Sequence, residues 1–355
     1  MNYKILVINP GASSTKLGCF TNVELVIDII LRHPYDELKE LKTVEENKNY
    51  RIDKISNALK EHNINIEQFS AISAMGGLLK PLRSGTYLIN EAMVKDLEEA
   101  KRGYHASNLG ALIAYDIAKK LNIPAFIVDP VSVDELCNLA RYSGSALIER
   151  DSLSHALNTK AVAKRWAKEH NKSYQQINLI VVHLGSGITV SAHKNGEMID
   201  VTNSMEEGAF STERTGTIPC MKLAKLCFSG KYSFDDIKKI IFGEGGIYSY
   251  LGIKDFKEVM EKVNSGDSKA KEVVDAMIYQ IAKEIGAFAT VLEGKMEAII
   301  ITGGMAHEKY LIDNLLKRIE FLGKIYVYPG EDELKALAEG AYRVLSKEEK
   351  YLVYE

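Results

Sequence analysis

Two stretches of this chain follow one plan. Ile5-Leu-Val-Ile-Asn-Pro-Gly-Ala-Ser-Ser-Thr-Lys-Leu-Gly-Cys-Phe20 and Leu179-Ile-Val-Val-His-Leu-Gly-Ser-Gly-Ile-Thr-Val-Ser-Ala192 each run from an apolar strand, through a turn of glycine and small polar residues, into a second strand. The first turn gathers Asn9, Gly11, Ser13, Ser14, Thr15 and Lys16, which are unobstructed amides, hydroxyls and one ammonium, the groups that grip a phosphate. An ordinary hairpin turn uses the same residue types. The repetition gives the pattern its meaning: one hairpin plan in each half suggests two related domains facing one ligand.

A chain of 355 residues is too long for one small core and suits two domains. The junction is placed at the start of the amphipathic helix after Asp151-Ser-Leu-Ser-His155, with Ser152 or Ser154 as its cap. That gives domains 1–155 and 156–355, with a C-terminal helix over about 331–350 able to pack back onto the first. Helical spacing is also expected over 36–46, 50–62, 109–121, capped by Ser107 or Asn108, and 268–292. Strands are expected in the apolar run 71–79, ending at its glycines Gly76 and Gly77, at 124–128 ending in Asp129, and at 297–302 running into Gly303 and Gly304.

A net charge of -3 without a basic run argues against nucleic acid as a partner. No apolar stretch approaches the roughly 20 residues that span a bilayer, so no membrane partner and a cytoplasmic location are expected. Cys19, Cys137, Cys220 and Cys227 lack paired spacing and read as small buried hydrophobes. The histidines form no HExxH, so any metal is expected to arrive with a nucleotide. Walker A, GxGxxG and GxSxG patterns are all missing, which argues against a P-loop enzyme, a Rossmann dehydrogenase and a nucleophile-elbow hydrolase.

Two phosphate-turn hairpins followed by a Thr-Gly-Gly strand end match the order of the actin and sugar-kinase superfamily. The motifs narrow it further: Asn9-Pro-Gly-Ala-Ser-Ser-Thr-Lys16, Gly76-Gly-Leu-Leu79, His105-Ala-Ser-Asn-Leu-Gly110, Ile127-Val-Asp-Pro-Val131, His155-Ala-Leu-Asn158, His183-Leu-Gly-Ser-Gly187, Glu213-Arg-Thr-Gly216, Thr302-Gly-Gly-Met-Ala-His-Glu308 and Pro329-Gly-Glu-Asp-Glu333. In order and spacing they resemble the butyrate kinase branch of the acetate kinase family over essentially the whole chain.

The resemblance implies an α/β fold of two actin/sugar-kinase-like (ribonuclease H-like) domains with a nucleotide cleft between them. It implies reversible phosphorylation of a short-chain fatty acid, butyrate or a branched analogue, by ATP with Mg²⁺, giving acyl phosphate and ADP. It also implies a homo-oligomer of at least a dimer. Carried over to this sequence, Arg214 would stabilise the transferring phosphoryl group and His155 would donate to it. Asp129 would orient Asn9 or the magnesium shell, and Glu333 would hold magnesium through water, with Asp332 next in line. Lys16 and Ser14 would meet the transferred phosphate. His183, Gly185, Ser186 and Gly187 would contact the β- and γ-phosphates, and Gly303 and Gly304 the adenosine. Gly76, Gly77, Arg83 and His105 would serve the acyl substrate.

Two positions depart from the pattern: Met75 stands where the branch usually has Arg, and Ala12 where it usually has Ser. Arg83 is the candidate to replace the missing cation; a changed substrate or a weakened enzyme is the competing outcome. The alternatives to a butyrate kinase are an acetate or propionate kinase, a nucleotide-dependent binding module without catalysis, and a sugar kinase using Asp129 as base.

Overall fold

The computed structural model describes residues 2–355, which divide into two compact units, 2–133 with 332–355, and 134–331. In the first unit β1 (Lys4–Pro10), β2 (Ser14–Thr21) and β3 (Glu24–Arg32) form an antiparallel meander. β4 (Ala71–Ala74) extends it in parallel, β5 (Thr86–Leu88) lies antiparallel to β6 (Ala125–Val128), and β6 runs parallel to β4. β1 and β4 are apolar along nearly their whole length because both faces of the sheet are covered.

Directly opposed residues on neighbouring antiparallel strands share a face, so the β1–β2 register sorts the side chains. Leu6 opposite Cys19 and Ile8 opposite Leu17 join a core with Ile55, Leu59, Leu109 and Ile113 from the helices Val44–Glu61 and Asn108–Leu121. Asn9 opposite Lys16 and Val7 opposite Gly18 look the other way. There the helix Glu333–Leu345 closes the sheet: Ser73 Oγ donates to Leu337 O at 2.8 Å, and Gly340 lies against Val128 where a Cβ would come within 2.5 Å.

The second unit carries a small hairpin, β7 (Tyr142–Ser145) and β8 (Ile148–Glu149), before its main sheet. That sheet is a meander of β9 (Asn178–Leu184), β10 (Ile188–Lys194) and β11 (Glu197–Val201), extended in parallel by β12 (Ala298–Gly303) and β13 (Ile325–Pro329). Asn195 and Gly196, both at positive φ, make the two-residue turn between β10 and β11. The helix Ser268–Val291 packs Met277 and Ile281 against Val182 and Val190 on one face. The helix Ala156–Glu169 sets Trp166 against Val181 and Ile300 on the other. β14 (Leu352–Val353) returns to the first unit beside β5.

The strand orders β3-β2-β1-β4-β6 and β11-β10-β9-β12-β13 are the same plan twice, the duplication that the two hairpin stretches suggested. The division before Asp134 precedes the junction read from the sequence at His155. Segment 134–155 is tied into the second unit by polar pairs that carry no periodic signal: Lys160 Nζ to Glu135 at 2.6 Å, Arg150 to Glu207 and Asp200, and Cys137 N to Ile199 O.

Local corrections are of the same kind. The helical spacing over 36–46 and 50–62 resolves into a short helix, Tyr35–Leu38, and one long helix begun by the reciprocal Thr43–Glu46 capping box. Neither Ser107 nor Asn108 caps the helix Asn108–Leu121 through its side chain; the Asn108 amide instead reaches Leu78 N and Gly103 O. His155 occupies the cap position of the next helix without a side-chain cap bond, so Ser152 and Ser154 do not serve there. Of the cysteines only Cys19 is buried, its thiol pushed up to about 11 by burial, while Cys137, Cys220 and Cys227 are exposed.

Candidate active site

In the first unit the turn between β1 and β2 is held by backbone hydrogen bonds to its carbonyls. Gly11 N donates to Ser14 O at 2.8 Å, and His33 N to Ser13 O at 2.8 Å. Ala12, Ser13 and Lys16 are exposed and Ser14 half-buried, so small polar groups and one ammonium crown a buried strand pair. Asn9, buried opposite Lys16, donates through Nδ2 to Glu333 Oε2 at 2.6 Å. Glu333 lies in the first turn of its helix, where the unpaired N–H groups and the helix dipole favour a carboxylate. Asp332 is the exposed residue just before it.

Asp129 follows β6 directly with φ 38°, a left-handed conformation that an aspartate tolerates better than most residues. Its Oδ1 accepts from Ser84 Oγ at 2.6 Å and Gly85 N at 2.7 Å, which fixes the loop that carries the exposed Arg83. Gly76 and Gly77 have a packing reason of their own: a Cβ at 76 would meet Pro130 at 2.6 Å, and one at 77 would meet Asn108 at 2.3 Å. His105 is exposed, with Nδ1 bonded to Ser107 Oγ at 2.8 Å. Met75 is buried, its N donating to Ile8 O.

In the second unit His155 and His183 stack with ring centroids 4.0 Å apart. His155 Nδ1 meets Thr189 Oγ1 at 2.7 Å. His183 Nδ1 meets Asn158 Oδ1 at 2.9 Å, and its Nε2 faces Glu331 Oε1 at 3.3 Å. Both rings are thereby fixed in orientation beside the turn Gly185-Ser186-Gly187. Ser211 Oγ donates to Ser186 O and anchors that turn.

Arg214 is the most informative group here. Its Nη1 donates to Ser204 O at 2.8 Å, its guanidinium lies over the Phe242 ring at 4.6 Å, and its Nε is buried with no partner among the described residues. Burial brings its pKa down to about 10, with Glu213 as the opposing influence, so it is still a cation at neutral pH. A desolvated cation with an unused N–H is prepared for an anion. At the end of β12, Gly303 has φ 96° and a Cβ there would lie 2.3 Å from Leu184 O, so only glycine fits; Gly304 faces open space.

His155, His183, Gly185, Ser186, Gly187 and Arg214 are thus neighbours around one turn, and Asn9, Ser14, Lys16 and Glu333 lie at one end of β1 and β2. Thr189, Asn158, Ser211 and Glu331 are participants that sequence reasoning assigned no role. Asn158 and Glu331 stand inside the motifs His155-Ala-Leu-Asn158 and Pro329-Gly-Glu-Asp-Glu333, and that was the available signal; Thr189 and Ser211 are joined to the site only by folding.

The duplicated sheet, with a glycine–serine turn at the same place in each copy, defines the two-domain actin and sugar-kinase class of fold. Solved structures agree. An acetate kinase from Porphyromonas gingivalis superposes with a TM-score of 0.80 at 18% identity, covering 97% of this chain and 100% of that one. A propionate kinase from Francisella tularensis subsp. tularensis SCHU S4 gives 0.77 at 19%, covering 95% and 98%. A ROK family protein from Streptococcus pneumoniae TIGR4 gives 0.53 at 12%, covering 98% and 100%. The acetokinase family profile matches residues 142–353, and the chain belongs to that family. It is a phosphotransferase of the acetate-kinase type. None of the described helices is long and apolar enough to cross a membrane.

Proposed function

We propose that this protein transfers a phosphoryl group between ATP and a short-chain carboxylate, forming an acyl phosphate and ADP. The observation that carries the reading is Arg214, a buried cation with an unpartnered N–H beside Gly187 and His155. A carboxylic acid with a pKa near ~4 to 5 is already ionised at neutral pH, so the reaction asks for no general base. It asks for cations and donors around an anion attacking a polyanion.

Within that reading Arg214 and His155 stabilise the transferring phosphoryl group. His183, Gly185, Ser186 and Gly187 receive the β- and γ-phosphates, and Gly303 and Gly304 lie against the adenosine. Ser14, Lys16 and Asn9 meet the transferred phosphate. Among the described residues no three His, Cys, Asp or Glu side chains form a metal cage. Magnesium bound with the nucleotide would neutralise phosphate charge, held through water by Glu333 or by its sequence neighbour Asp332, with Asp129 orienting Asn9 or the magnesium shell. Asp129 already accepts two hydrogen bonds, which suits an orienting carboxylate better than the base of a sugar kinase. Because Met75 is buried, the carboxylate partner falls to Arg83, with Gly76, Gly77 and His105 shaping the acyl side.

The similarity to an acetate kinase and a propionate kinase supports acetate or propionate as acceptor. The motif series supports butyrate or a branched acid. Cytoplasmic location and assembly into at least a dimer belong to the same reading. Trapping acyl phosphate as its hydroxamate with ATP, Mg²⁺ and straight and branched acids of two to six carbons tests it. A peak at two or three carbons gives an acetate or propionate kinase, and one at four or five a butyrate-type enzyme. No product with any acid, while ATP still binds, would replace catalysis by nucleotide-dependent binding.

A further inference from the structure

Arg51, on the helix Val44–Glu61, is 1% exposed, and no carboxylate pairs with it among the described residues. An unneutralised cation in a core is expensive. This one spends its donors on the back of the first phosphate turn. Nη1 donates to Ser14 O at 3.0 Å and Thr15 Oγ1 at 2.8 Å, Nη2 to Ala12 O at 3.3 Å, and Nε to Asn47 Oδ1 at 2.9 Å. Thr15 Oγ1, buried on the sheet face away from Asn9 and Lys16, also meets His33 Nε2 at 2.8 Å.

The geometry of the peptide group gives these bonds a consequence. A trans peptide directs its C=O and N–H to opposite sides. With Ala12 O held by Arg51 and Ser13 O held by His33 N, the Ser13 and Ser14 N–H groups are turned the other way. The guanidinium, together with the His33 amide, therefore sets the direction of the turn's donors, and no counter-ion among the described residues cancels its charge behind them.

We propose that Arg51 is a positioning residue for phosphate binding, holding the Ala12–Thr15 turn in its donor-outward form and adding a buried positive charge behind it. This rests on the phosphoryl-transfer reading for the identity of the anion. It also accounts for a hydrophilic residue in a helix face that otherwise contributes Ile55, Ala58 and Leu59 to the core.

The test compares wild type, Arg51→Met, Arg51→Lys and Thr15→Val in calorimetric binding of acetyl phosphate, inorganic phosphate and ADP, together with kcat, KM and circular dichroism. The expected result is acetyl phosphate and phosphate binding weakened roughly tenfold or more in Arg51→Met, partly recovered in Arg51→Lys, with ADP affinity held within about twofold. Equal loss of ADP binding, unchanged phosphate binding, or no recovery by lysine would overturn the proposal and leave Arg51 a packing residue. If Arg51→Met does not fold, Thr15→Val and Arg51→Lys decide: wild-type phosphate affinity in both overturns it, and weakening in Thr15→Val alone supports it. A wild type that makes no hydroxamate yet loses phosphate affinity on Arg51→Met removes the kinase reading and keeps the role of Arg51. A wild type that binds neither acetyl phosphate nor phosphate overturns the role.

Discussion

Gly187 leaves Arg214 its place: a Cβ at 187 would lie 2.3 Å from Arg214 Nη1 and 3.1 Å from His155 Cε1. The obstructed atom is the end of a flexible side chain, so the fold can accommodate an alanine by moving the guanidinium. Gly187→Ala is therefore expected to melt within a few degrees of wild type while kcat falls roughly 100-fold, the usual effect of losing one aligned donor to a developing charge. Steady-state kinetics beside a thermal melt checks this. Unchanged kcat would show that Arg214 does not act from its observed position.

Arg214→Met separates function from stability more sharply. The folded-state pKa of Arg214 lies below its unfolded value, so burying its charged form costs stability at pH 7. Methionine keeps contact with the Phe242 ring and removes the charge. Activity is expected to drop at least ~100-fold with a melting temperature equal to or above wild type. A melting temperature several degrees lower would make Arg214 a structural residue, with its bond to Ser204 O as the reason.

The duplicated sheet was legible because strands buried on both faces write themselves as apolar runs, as in Ile5–Ile8 and Ala298–Ile301, and because each turn repeats the same small residues. The clustering of Arg214, His155 and His183 was legible through short motifs. Thr189 and Glu331 were not: one is an ordinary strand threonine and the other one of several acids in a row within its motif, and each gains meaning only from the imidazole it faces. Arg51 was hidden for a similar reason. In sequence it is one more charge on an amphipathic helix, and only the fold turns it inward. The glycines divide in an instructive way, since Gly303 is demanded by Leu184 O, Gly76 and Gly77 by neighbouring chain, and Gly304 by nothing within 4 Å.

Asn9 and Glu333 are 324 residues apart and bonded at 2.6 Å. Glu333→Gln can preserve that bond through its amide oxygen and loses only charge, so it is expected to raise the magnesium concentration for half-maximal activity roughly tenfold with little change in melting. Asn9→Asp does the reverse, setting two carboxylates against each other. Their repulsion raises the pKa of the pair above its unfolded value, so the variant should be destabilised at pH 7 and recover stability as the pH falls toward 5. Magnesium titrations and melts at both pH values measure the two effects. A Glu333→Gln enzyme with wild-type magnesium dependence would take the metal role away from Glu333.

His33 makes the acid limb of stability testable at one residue. Its Nε2 faces Thr15 Oγ1, which also takes a bond from Arg51, so the hydroxyl has its proton to give and the imidazole accepts in its neutral form. Burial first, then the charges of Arg51 and Lys54, lower its pKa from 6.5 to about 4. The unfolded chain takes up this proton as the pH falls below about 6.5, and the folded chain does so only near 4. The contribution of His33 is thus complete above pH 6.5 and is lost progressively down to pH 4, by roughly 3 kcal/mol at about 1.4 kcal/mol per pH unit. His33→Gln keeps an acceptor for Thr15 and cannot titrate, so its melting temperature should fall less than that of wild type across this interval. Parallel curves for the two proteins would mean that His33 takes up its proton in the folded state as readily as in the unfolded chain, and that the Thr15 hydroxyl is oriented by Arg51 alone.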